Sequence, residues 1–479
     1  MTPKARFIKY LRRSFASIFL ILFVSLLVIF NAKHIHPSGL HQVQSNHQYV
    51  LDNVHLVMVE QQTIQKDQQL TIRNGIIENI ANAGSPTPQG YEYRDGQNAY
   101  VTPGLFDMHV HHLERKALAL SLAYGVTSVR MMRGYRMHLL WRDELKQGEW
   151  LGSNLYLSSP VFASPNTHAL NQPVISPEHA AELVEKVHAT GFDVIKLYGY
   201  QDAAQFEAII EQANQLGIAV AKHAPHPAKG SEWQYLQGLQ SLEHVEDIYQ
   251  GPLNYQFDQD ALKQAVAKIK QTGVPVTPTL AVFDHLTNLS NGKQDYINSL
   301  DLEYLNPVRV SLEEEYAIAR WLDDTPKQSA FHIEKGNFLK QIVKELHRQQ
   351  VDLLVGSDSG MMYMAAGVST HIEMALLKQS GLSDFDVIQA ATINPAKALK
   401  IAEEYGSIKV GKVADLVITL ENPSEDIGYL KTPNAVVKNG QWVAREQLDQ
   451  LKDSAKDHPN FWLTSGLLIE DVVYRYFNY

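Results

Sequence analysis

Two histidines separated by one residue, His109 and His111, end the apolar run that begins at Val101. Alternate side chains of a strand point to one face, so a His-x-His pair in extended geometry directs two imidazoles at one point. Such a pair can supply two ligands to a metal ion. His34 and His36 have the same spacing, but they directly follow an apolar segment and lie among Pro and Gly, so we interpret them as part of a linker. Spacing alone therefore does not identify a metal site, and further ligands are needed.

Four other polar residues end apolar runs elsewhere in the chain. They are Lys196 in FDVIKLYGY, His223 in GIAVAKHA, His244 in SLEHV and Asp358 in VDLLVGSD. If these runs are parallel strands, their carboxyl ends meet at one edge of the sheet, where α/β folds place their chemistry. Imidazole and carboxylate groups are metal ligands. The sequence thus predicts a metal site that is assembled from several strands.

Lys196 needs an explanation of its own, because an ammonium group is repelled by cations and is seldom buried without a partner. The residue lies between Ile195 and Leu197, so alternation points its side chain away from both. One interpretation is a strand lysine that reaches solvent or pairs with an acid. The other is a buried amine of lowered pKa that reacts with carbon dioxide, giving a carbamate whose two oxygens bridge two metal ions.

Short apolar segments alternate with helical ones from residue 99 to residue 399. Stretches such as PEHAAELVEKVHATG have apolar positions three and four apart and a closing glycine, which is typical of an amphipathic helix. Eight strands that alternate with helices predict an α/β fold of the (β/α)8 TIM barrel type. A longer insertion after the seventh strand, at about 284–329, is expected to line or cover the pocket.

Both flanks of this region are rich in short β segments. Asn74-Gly75 and Asn439-Gly440 separate β-rich runs, and such pairs favour two-residue hairpin turns because both positions need positive φ. We therefore predict one small β-sandwich domain built from both chain ends, residues 49–98 and 400–445, with the barrel inserted between them. Residues 34–48 are predicted as a linker and 446–479 as a C-terminal extension rich in aromatic residues, for which packing is the leading interpretation.

The N-terminus has the pattern of a membrane segment. Five Lys and Arg residues precede the uncharged run from Phe15 to Phe30, and cationic residues stay on the cytoplasmic side. Residues 1–33 are predicted as a cytoplasmic basic stub and a transmembrane signal-anchor helix. The catalytic part is then extracytoplasmic, and periplasmic if the cell is Gram-negative. The alternative is a cleaved signal peptide and secretion.

Composition excludes several classes of protein. The 479 residues include no cysteine, which excludes disulfides, Cys-ligated zinc and a thiol nucleophile. The net charge of -10 argues against a nucleic-acid partner, since such proteins usually show a basic footprint. A hydrophobic content of 45% is that of an ordinary folded protein. Association into a homo-oligomer is left open.

Taken together, VTPGLFDMHVH, AYGVTSVR, DVIKLY, AVAKHA, SLEHV, LLVGSDSG and AATINPAKALKI resemble the metal-dependent amidohydrolase superfamily. The resemblance extends over about Tyr49 to Leu420. It is closest to the imidazolonepropionase-like branch, which includes dipeptidases acting on Xaa-Pro, Xaa-Lys and Xaa-Arg. Imidazolonepropionase itself uses one metal without the lysine, so Lys196 points to the two-metal, dipeptidase-like members.

The resemblance implies a full set of ligands. His109, His111 and Asp358 would hold a first metal, His223 and His244 would hold a second, and carboxylated Lys196 would bridge both. The two divalent ions, with zinc as the leading candidate, would share a hydroxide that attacks the substrate carbonyl. Asp358 would be the catalytic base and then acid.

The expected substrates are small molecules with a C–N bond, such as dipeptides or N-acyl amino acids. Tyr198, two residues beyond Lys196, is expected to bind the substrate carbonyl or carboxylate, and His168 resembles a loop histidine that contacts substrate in relatives. Alternatives are a lactonase or cyclic amidase on the same metals, and a membrane-tethered binding protein without turnover. The chain also departs from the family, since Arg130 is followed by Met-Met-Arg133 where relatives usually have Asp, which affects loop packing and pocket polarity.

Overall fold

A computed structural model of the protein describes residues 15–27, 48–165, 171–198, 201–223, 236–458 and 461–479. Helix α1 covers residues 15–27, and its side chains are all exposed. Within the described ranges no helix has the length and apolar character needed to cross a membrane. The predicted transmembrane helix is therefore not supported.

Residues 1–14 and 28–47 lie outside the described ranges, and with them the basic block, the end of the apolar run and most of the predicted linker. The extracytoplasmic location, with secretion as its alternative, stays a prediction.

Four strands follow, and they open the β-rich part of the chain. They are β1 (Gln48–Met58), β2 (Thr63–Arg73), β3 (Ile76–Asn82) and β4 (Glu92–Pro103). Asn74 and Gly75 join β2 to β3 with φ values of +50° and +84°. Positive φ at both central residues is the geometry of a type I′ turn, so the predicted hairpin is confirmed.

Strands and helices then alternate. In chain order they are β5 (Leu105–Val110), α2 (Arg115–Ala123), β6 (Val126–Met131), α3 (Arg136–Lys146), β7 (Asn154–Leu157), β8 (Phe162–Ala163), β9 (Gln172–Pro173), α4 (Pro177–Thr190), β10 (Val194–Leu197), α5 (Ala203–Leu216), β11 (Ala219–His223), β12 (Ser241–Glu243), α6 (Val245–Gln250), α7 (Gln259–Thr272) and β13 (Val276–Thr277). Ser176 and Asp202 accept hydrogen bonds from backbone N–H groups at the starts of α4 and α5. Gly191 and Gly217 end these helices with left-handed backbone, as the sequence predicts.

After β13 the chain becomes helical. The elements are α8 (Leu280–Ile297), a 3₁₀ turn (Leu302–Tyr304), α9 (Pro307–Glu313), a π-helical turn (Glu314–Ile318), α10 (Ala319–Leu322), α11 (Pro326–Arg348), α12 (Val368–Gln379), α13 (Asp384–Ala390) and α14 (Ile393–Ala398). Lys293 interrupts α8 with a φ of +52°, and its Nζ donates to the carbonyl oxygens of Trp321 and Asp324 at 3.0 and 2.8 Å. This lysine therefore joins α8 to the later part of the predicted insertion.

The parallel strands form two sheets among the described residues, in the orders β5-β6-β7 and β13-β12-β11-β10-β8-β9. Single parallel bridges join Ser158 to Val194, Val276 to Leu353 and Val110 to Ser359. A continuous closed barrel is therefore not shown, although the α/β architecture is.

The predicted eighth strand, VDLLVGSD, is not a regular strand. Gln350 and Asp358 bound it with φ values of +59° each, and such backbone is incompatible with an extended ladder. The segment is nevertheless tied to its neighbour, since the Asp358 N–H donates to the His109 carbonyl at 2.8 Å.

The remaining elements return to the first sheet. They are β14 (Leu416–Thr419), a 3₁₀ turn (Ile427–Lys431), β15 (Ala435–Lys438), β16 (Gln441–Ala444), α15 (Arg445–Ala455) and α16 (Phe461–Asn478). Strands from both chain ends form one seven-stranded sheet in the order β16-β15-β14-β4-β1-β2-β3. This is a single hydrogen-bonded sheet and not the two separate sheets that a sandwich implies. The domain boundaries predicted from the sequence stay predictions.

The C-terminal part contains a second hairpin and a helix that packs against α3. Asn439 and Gly440 have φ values of +49° and +78° and join β15 to β16, so the second predicted hairpin turn is also confirmed. In α16, Asp471 accepts a hydrogen bond from the Arg136 backbone N–H at 2.9 Å and another from Arg475 Nε at 2.9 Å. The C-terminal extension thus packs against the start of α3.

Candidate metal centre

One cavity of about 1000 Å³ lies at the carboxyl ends of the parallel strands. All six predicted ligands and Tyr198 line it: His109, His111, Lys196, Tyr198, His223, His244 and Asp358. His168 lies outside the described residues. The structure therefore brings together every predicted site residue that it describes. Whether each of them binds a metal stays a prediction.

His109 and His111 come from the end of β5 and the residue after it. Their ring centroids are 5.2 Å apart. Asp358 lies against both, with its Oδ1 3.0 Å from His111 Nε2 and 3.6 Å from His109 Nε2. Burial raises the pKa of the Asp358 carboxyl, but the neighbouring histidines outweigh it and the net shift is downward. Asp358 is therefore an ionised acceptor suited to a cation.

His244 brings the second predicted pair into contact with the first. Its ring centroid is 4.6 Å from that of His109 and 4.4 Å from that of His223. Burial lowers the pKa of His244 to about 3, so its imidazole is neutral and can donate a lone pair. The ligand atoms of His109, His244 and Asp358 all lie within 4.8 Å of one another. This compact group combines residues that the sequence assigns to two different metal ions.

The backbone is strained at two of these candidate ligands. His244 and Asp358 both have left-handed backbone, with φ values of +65° and +59°. Thr279, at the start of α8, has a φ of +52° and its Oγ1 lies 2.7 Å from His244 Nδ1. Non-glycine residues rarely adopt this conformation, and they concentrate at functional sites. The strain is consistent with a centre where ligand direction takes priority over local backbone preference.

Lys196 is buried within β10, and 2% of the residue is exposed. Its Nζ has no hydrogen-bond partner among the described residues. Burial is the main cause that lowers the pKa of Lys196 to about 8, opposed by the negative charge of Glu243. A substantial part of the amine is therefore neutral near pH 8, which is the form that can act as a nucleophile.

The buried ion pair between Arg130 and Glu243 contacts His109 through the Nδ1 atom of its ring. Glu243 Oε2 lies 2.7 Å from His109 Nδ1, and Glu243 Oε1 accepts from Arg130 Nη2 at 2.7 Å and from Ser241 Oγ. Arg130 also donates from Nε to the Met108 carbonyl at 2.7 Å. Arg130 and Glu243 are completely buried. Glu243 therefore fixes the orientation of the His109 ring and leaves Nε2 facing the cavity.

A sequence model of the Amidohydrolase family matches residues 100–443, which is more than two thirds of the chain. The chain belongs to the Amidohydrolase family. The resemblance predicted from the sequence motifs is thereby confirmed.

Individual proteins show the same likeness. The chain is similar to an imidazolonepropionase of Brevibacillus brevis, with 39% identity over 69 residues. That alignment is 14% of this chain, and the chain spans only 16% of the relative's length. Two solved structures share the fold: a bottromycin amidohydrolase (TM-score 0.72, 24% identity, 90% of this chain and 93% of that one) and an Xaa-Pro dipeptidase with bound methionine (TM-score 0.65, 19% identity, 83% and 100%).

The sequence analysis of this amidohydrolase missed the residues that orient the candidate ligands. Glu243 precedes a predicted ligand directly and ends the same apolar run, which is the signal that could have identified it. Asp247, whose Oδ2 lies 2.9 Å from His223 Nδ1, is one helical turn beyond His244. Thr279 gives no such signal, because its proximity to His244 depends on how β13 and α8 join.

Replacing Glu243 with glutamine tests its positioning role. Gln keeps the size of the side chain, but it leaves the buried Arg130 without a counter-charge. We expect metal affinity to fall by roughly 10- to 100-fold and the free energy of unfolding to fall by about 3–5 kcal/mol. Chelator competition and urea denaturation measure the two effects. Glu246→Gln is the control, because Glu246 lines the same cavity but pairs with Lys335. Equal metal affinity in both variants would contradict the role.

Glu373 carries a pH-dependent contribution to stability. It is completely buried in α12, and its Oε2 accepts from the Ala281 N–H at 2.6 Å, at the start of α8. Burial raises its pKa to about 8. The folded state holds this proton to a higher pH than the unfolded state, so stability falls as pH rises from about 4.5 to 8.

We therefore expect Glu373→Gln to flatten the fall in stability between pH 5 and pH 8 by at least about 1 kcal/mol. Urea denaturation at several pH values measures this. Glu182→Gln, at an exposed position in α4, serves as the control and should leave the slope unchanged. Parallel curves for wild type and Glu373→Gln would show that Glu373 does not titrate in this range.

Proposed function

We propose that this chain is a metal-dependent hydrolase of C–N bonds in small substrates, with dipeptides and N-acyl amino acids as the leading class. Membership of the Amidohydrolase family supports this proposal. The observation that carries it is the cavity in which four histidines and an aspartate surround a buried lysine that has no partner among the described residues. The Xaa-Pro dipeptidase of similar fold favours peptide substrates.

The donor set fits divalent cations. His109, His111 and Asp358 would hold one ion, and His223 and His244 a second, with Lys196 between them. Imidazole and carboxylate ligands suit zinc, which we take as the leading candidate, as well as other first-row metals. Such ions supply Lewis acidity and lower the pKa of water toward neutrality. The Lys196 amine would react with carbon dioxide and lose a proton to give a carbamate, which would supply two further oxygen ligands to the metal site.

The chain's own residues account for the movement of protons and the position of the substrate. Asp358, ionised and at the centre of the ligand set, would accept the proton of the attacking water at its carboxylate and return it to the leaving nitrogen. Tyr198 lies edge-on to His223, with ring centroids 4.1 Å apart, and is 43% exposed. Its hydroxyl would donate to the substrate carbonyl or carboxylate. Val282, Phe283 and Leu286 of α8 give the cavity an apolar side.

The test is a substrate panel with the metal-loaded protein. We expect hydrolysis of dipeptides or N-acyl amino acids, and loss of that activity after chelation with recovery on addition of Zn²⁺. Hydrolysis of lactones or cyclic imides alone would replace the proposal with those reactions. A protein that holds two metal ions but turns over none of these substrates would indicate a binding protein.

A further inference from the structure

We propose that Arg133 is a specificity-determining residue, which binds a carboxylate of the substrate beside the scissile bond. The inference rests on the proposed function, because it concerns the substrate of the same cavity. Arg133 stands where the sequence departs from the family pattern, two residues beyond the end of β6. It lines the cavity together with His111 and Tyr198.

The guanidinium of Arg133 has two neutral partners, Asn171 and the hydroxyl of Tyr135. Its Nη2 donates to Asn171 Oδ1 at 3.1 Å, and no carboxylate forms an ion pair with it among the described residues. An amide oxygen orients a guanidinium but does not cancel its charge. The side chain is half-buried, so its charge is only partly screened by solvent. Arg133 is therefore oriented and still able to bind an anion.

The carboxylates that line the cavity are committed to other groups. Asp247 contacts His223 at 2.9 Å, Glu246 contacts Lys335 at 2.5 Å, and Asp324 contacts His332 at 3.2 Å. The fourth, Asp358, lies within the ligand set. None of the four is paired with Arg133 among the described residues, and a negative group on the substrate would fit this guanidinium.

Two other arginines line the cavity, and both differ from Arg133. Arg309 is paired with Glu313 at 2.7 Å. Arg320 is exposed and lies over Trp321, with its guanidinium carbon 5.2 Å from the ring centroid. Arg133 differs from both, because among the described residues neutral side chains hold it while it lines the cavity with Tyr198. The cation and the phenol therefore line the same cavity.

This pairing matches the chemistry of a carboxylate. Two parallel N–H groups of a guanidinium can donate to both oxygens of a carboxylate, and a tyrosine hydroxyl can add a third hydrogen bond. A peptide or an N-acyl amino acid with a free carboxylate would satisfy these donors. The corresponding C-terminal amide has the same shape without the charge.

The test compares free-acid and amide forms of the same substrates in wild type, Arg133→Met and Arg320→Met. We expect Arg133→Met to lower kcat/KM for the free acid by roughly 10- to 100-fold, since a hydrogen bond to a charged group contributes about 1.5–3 kcal/mol. We expect less than a roughly threefold change for the amide. Arg320→Met removes another cavity guanidinium and should leave the ratio of acid to amide unchanged. Equal losses for acid and amide in Arg133→Met, or no loss, would overturn the proposal.

A binding measurement separates this inference from the proposed function. If wild type hydrolyses no substrate, the proposed function fails, and calorimetry with N-acetyl-L-methionine and N-acetyl-L-methioninamide still tests Arg133. Weaker binding of the acid, but not the amide, to metal-loaded Arg133→Met supports the carboxylate site. Equal affinities of wild type and variant for the acid would overturn it.

Discussion

Replacing Asp358 with asparagine is expected to abolish measurable turnover while a substantial part of the metal stays bound. Asn keeps one oxygen ligand but cannot accept and return a proton at the pH of the reaction. Loss of a general acid and base of this kind costs up to about 10⁴-fold in rate. Single-turnover kinetics and elemental analysis of the same preparation measure rate and metal content together.

The matched control for this variant is Asp352→Asn. Asp352 belongs to the same irregular segment but its side chain is exposed, so its substitution changes the charge near the segment without changing the cavity. We expect near-wild-type rates in this control. An Asp358→Asn protein that is fully active with both metals bound would remove Asp358 from proton transfer.

Replacing Lys196 with alanine is expected to remove most of the bound metal and more than about 10²-fold of the activity, because the bridge between the two predicted ions is lost. Small carboxylic acids, such as acetate or propionate, should restore part of both. They fit the space left by the lysine and supply two oxygens in place of a carbamate. Metal content and kcat are measured with and without the added acid.

Lys222 offers an unusually close control. It is buried in the neighbouring strand β11, and burial lowers its pKa to about 8 as well. It does not line the cavity, and its Nζ lies 5.8 Å from the centroid of the Phe206 ring. Lys222→Ala is therefore expected to show no rescue by carboxylic acids. Full activity and both metals in Lys196→Ala would contradict the carbamate.

The meeting of the candidate ligands in one cavity could be predicted because each of them ends an apolar run. A run of this kind shows both where a strand lies and where it stops. Lys196, His223 and His244 follow this rule directly, and the cavity brings them together as expected. Asp358 was found by the same pattern for a partly wrong reason. Its segment is not a regular strand, since the positive φ of Asp358 turns the backbone out of extended geometry.

The grouping of the candidate ligands could not be predicted. Which histidine ring lies nearest to which depends on strand stagger and on the backbone of His244, and a sequence does not encode a positive φ at a histidine in any obvious way. The supporting groups were missed for a related reason. Arg130 lies in β6 and Glu243 in β12, 113 residues apart in the sequence. Only the packing of these two strands in the folded chain brings the two side chains together.

The sheet that both chain ends share has a consequence for how the protein is made. Thr102 of β4 is paired with Val417 of β14, so the ribosome must add 315 residues after Thr102 before the partner of this residue exists. At roughly 5–20 residues per second, the nascent β4 edge waits about 15–60 s on the ribosome. During that time it is an exposed template for wrong pairing. The residues between β4 and β14 therefore leave the ribosome while this strand edge is still open. A molecular chaperone that shields the edge would have most effect before translation ends.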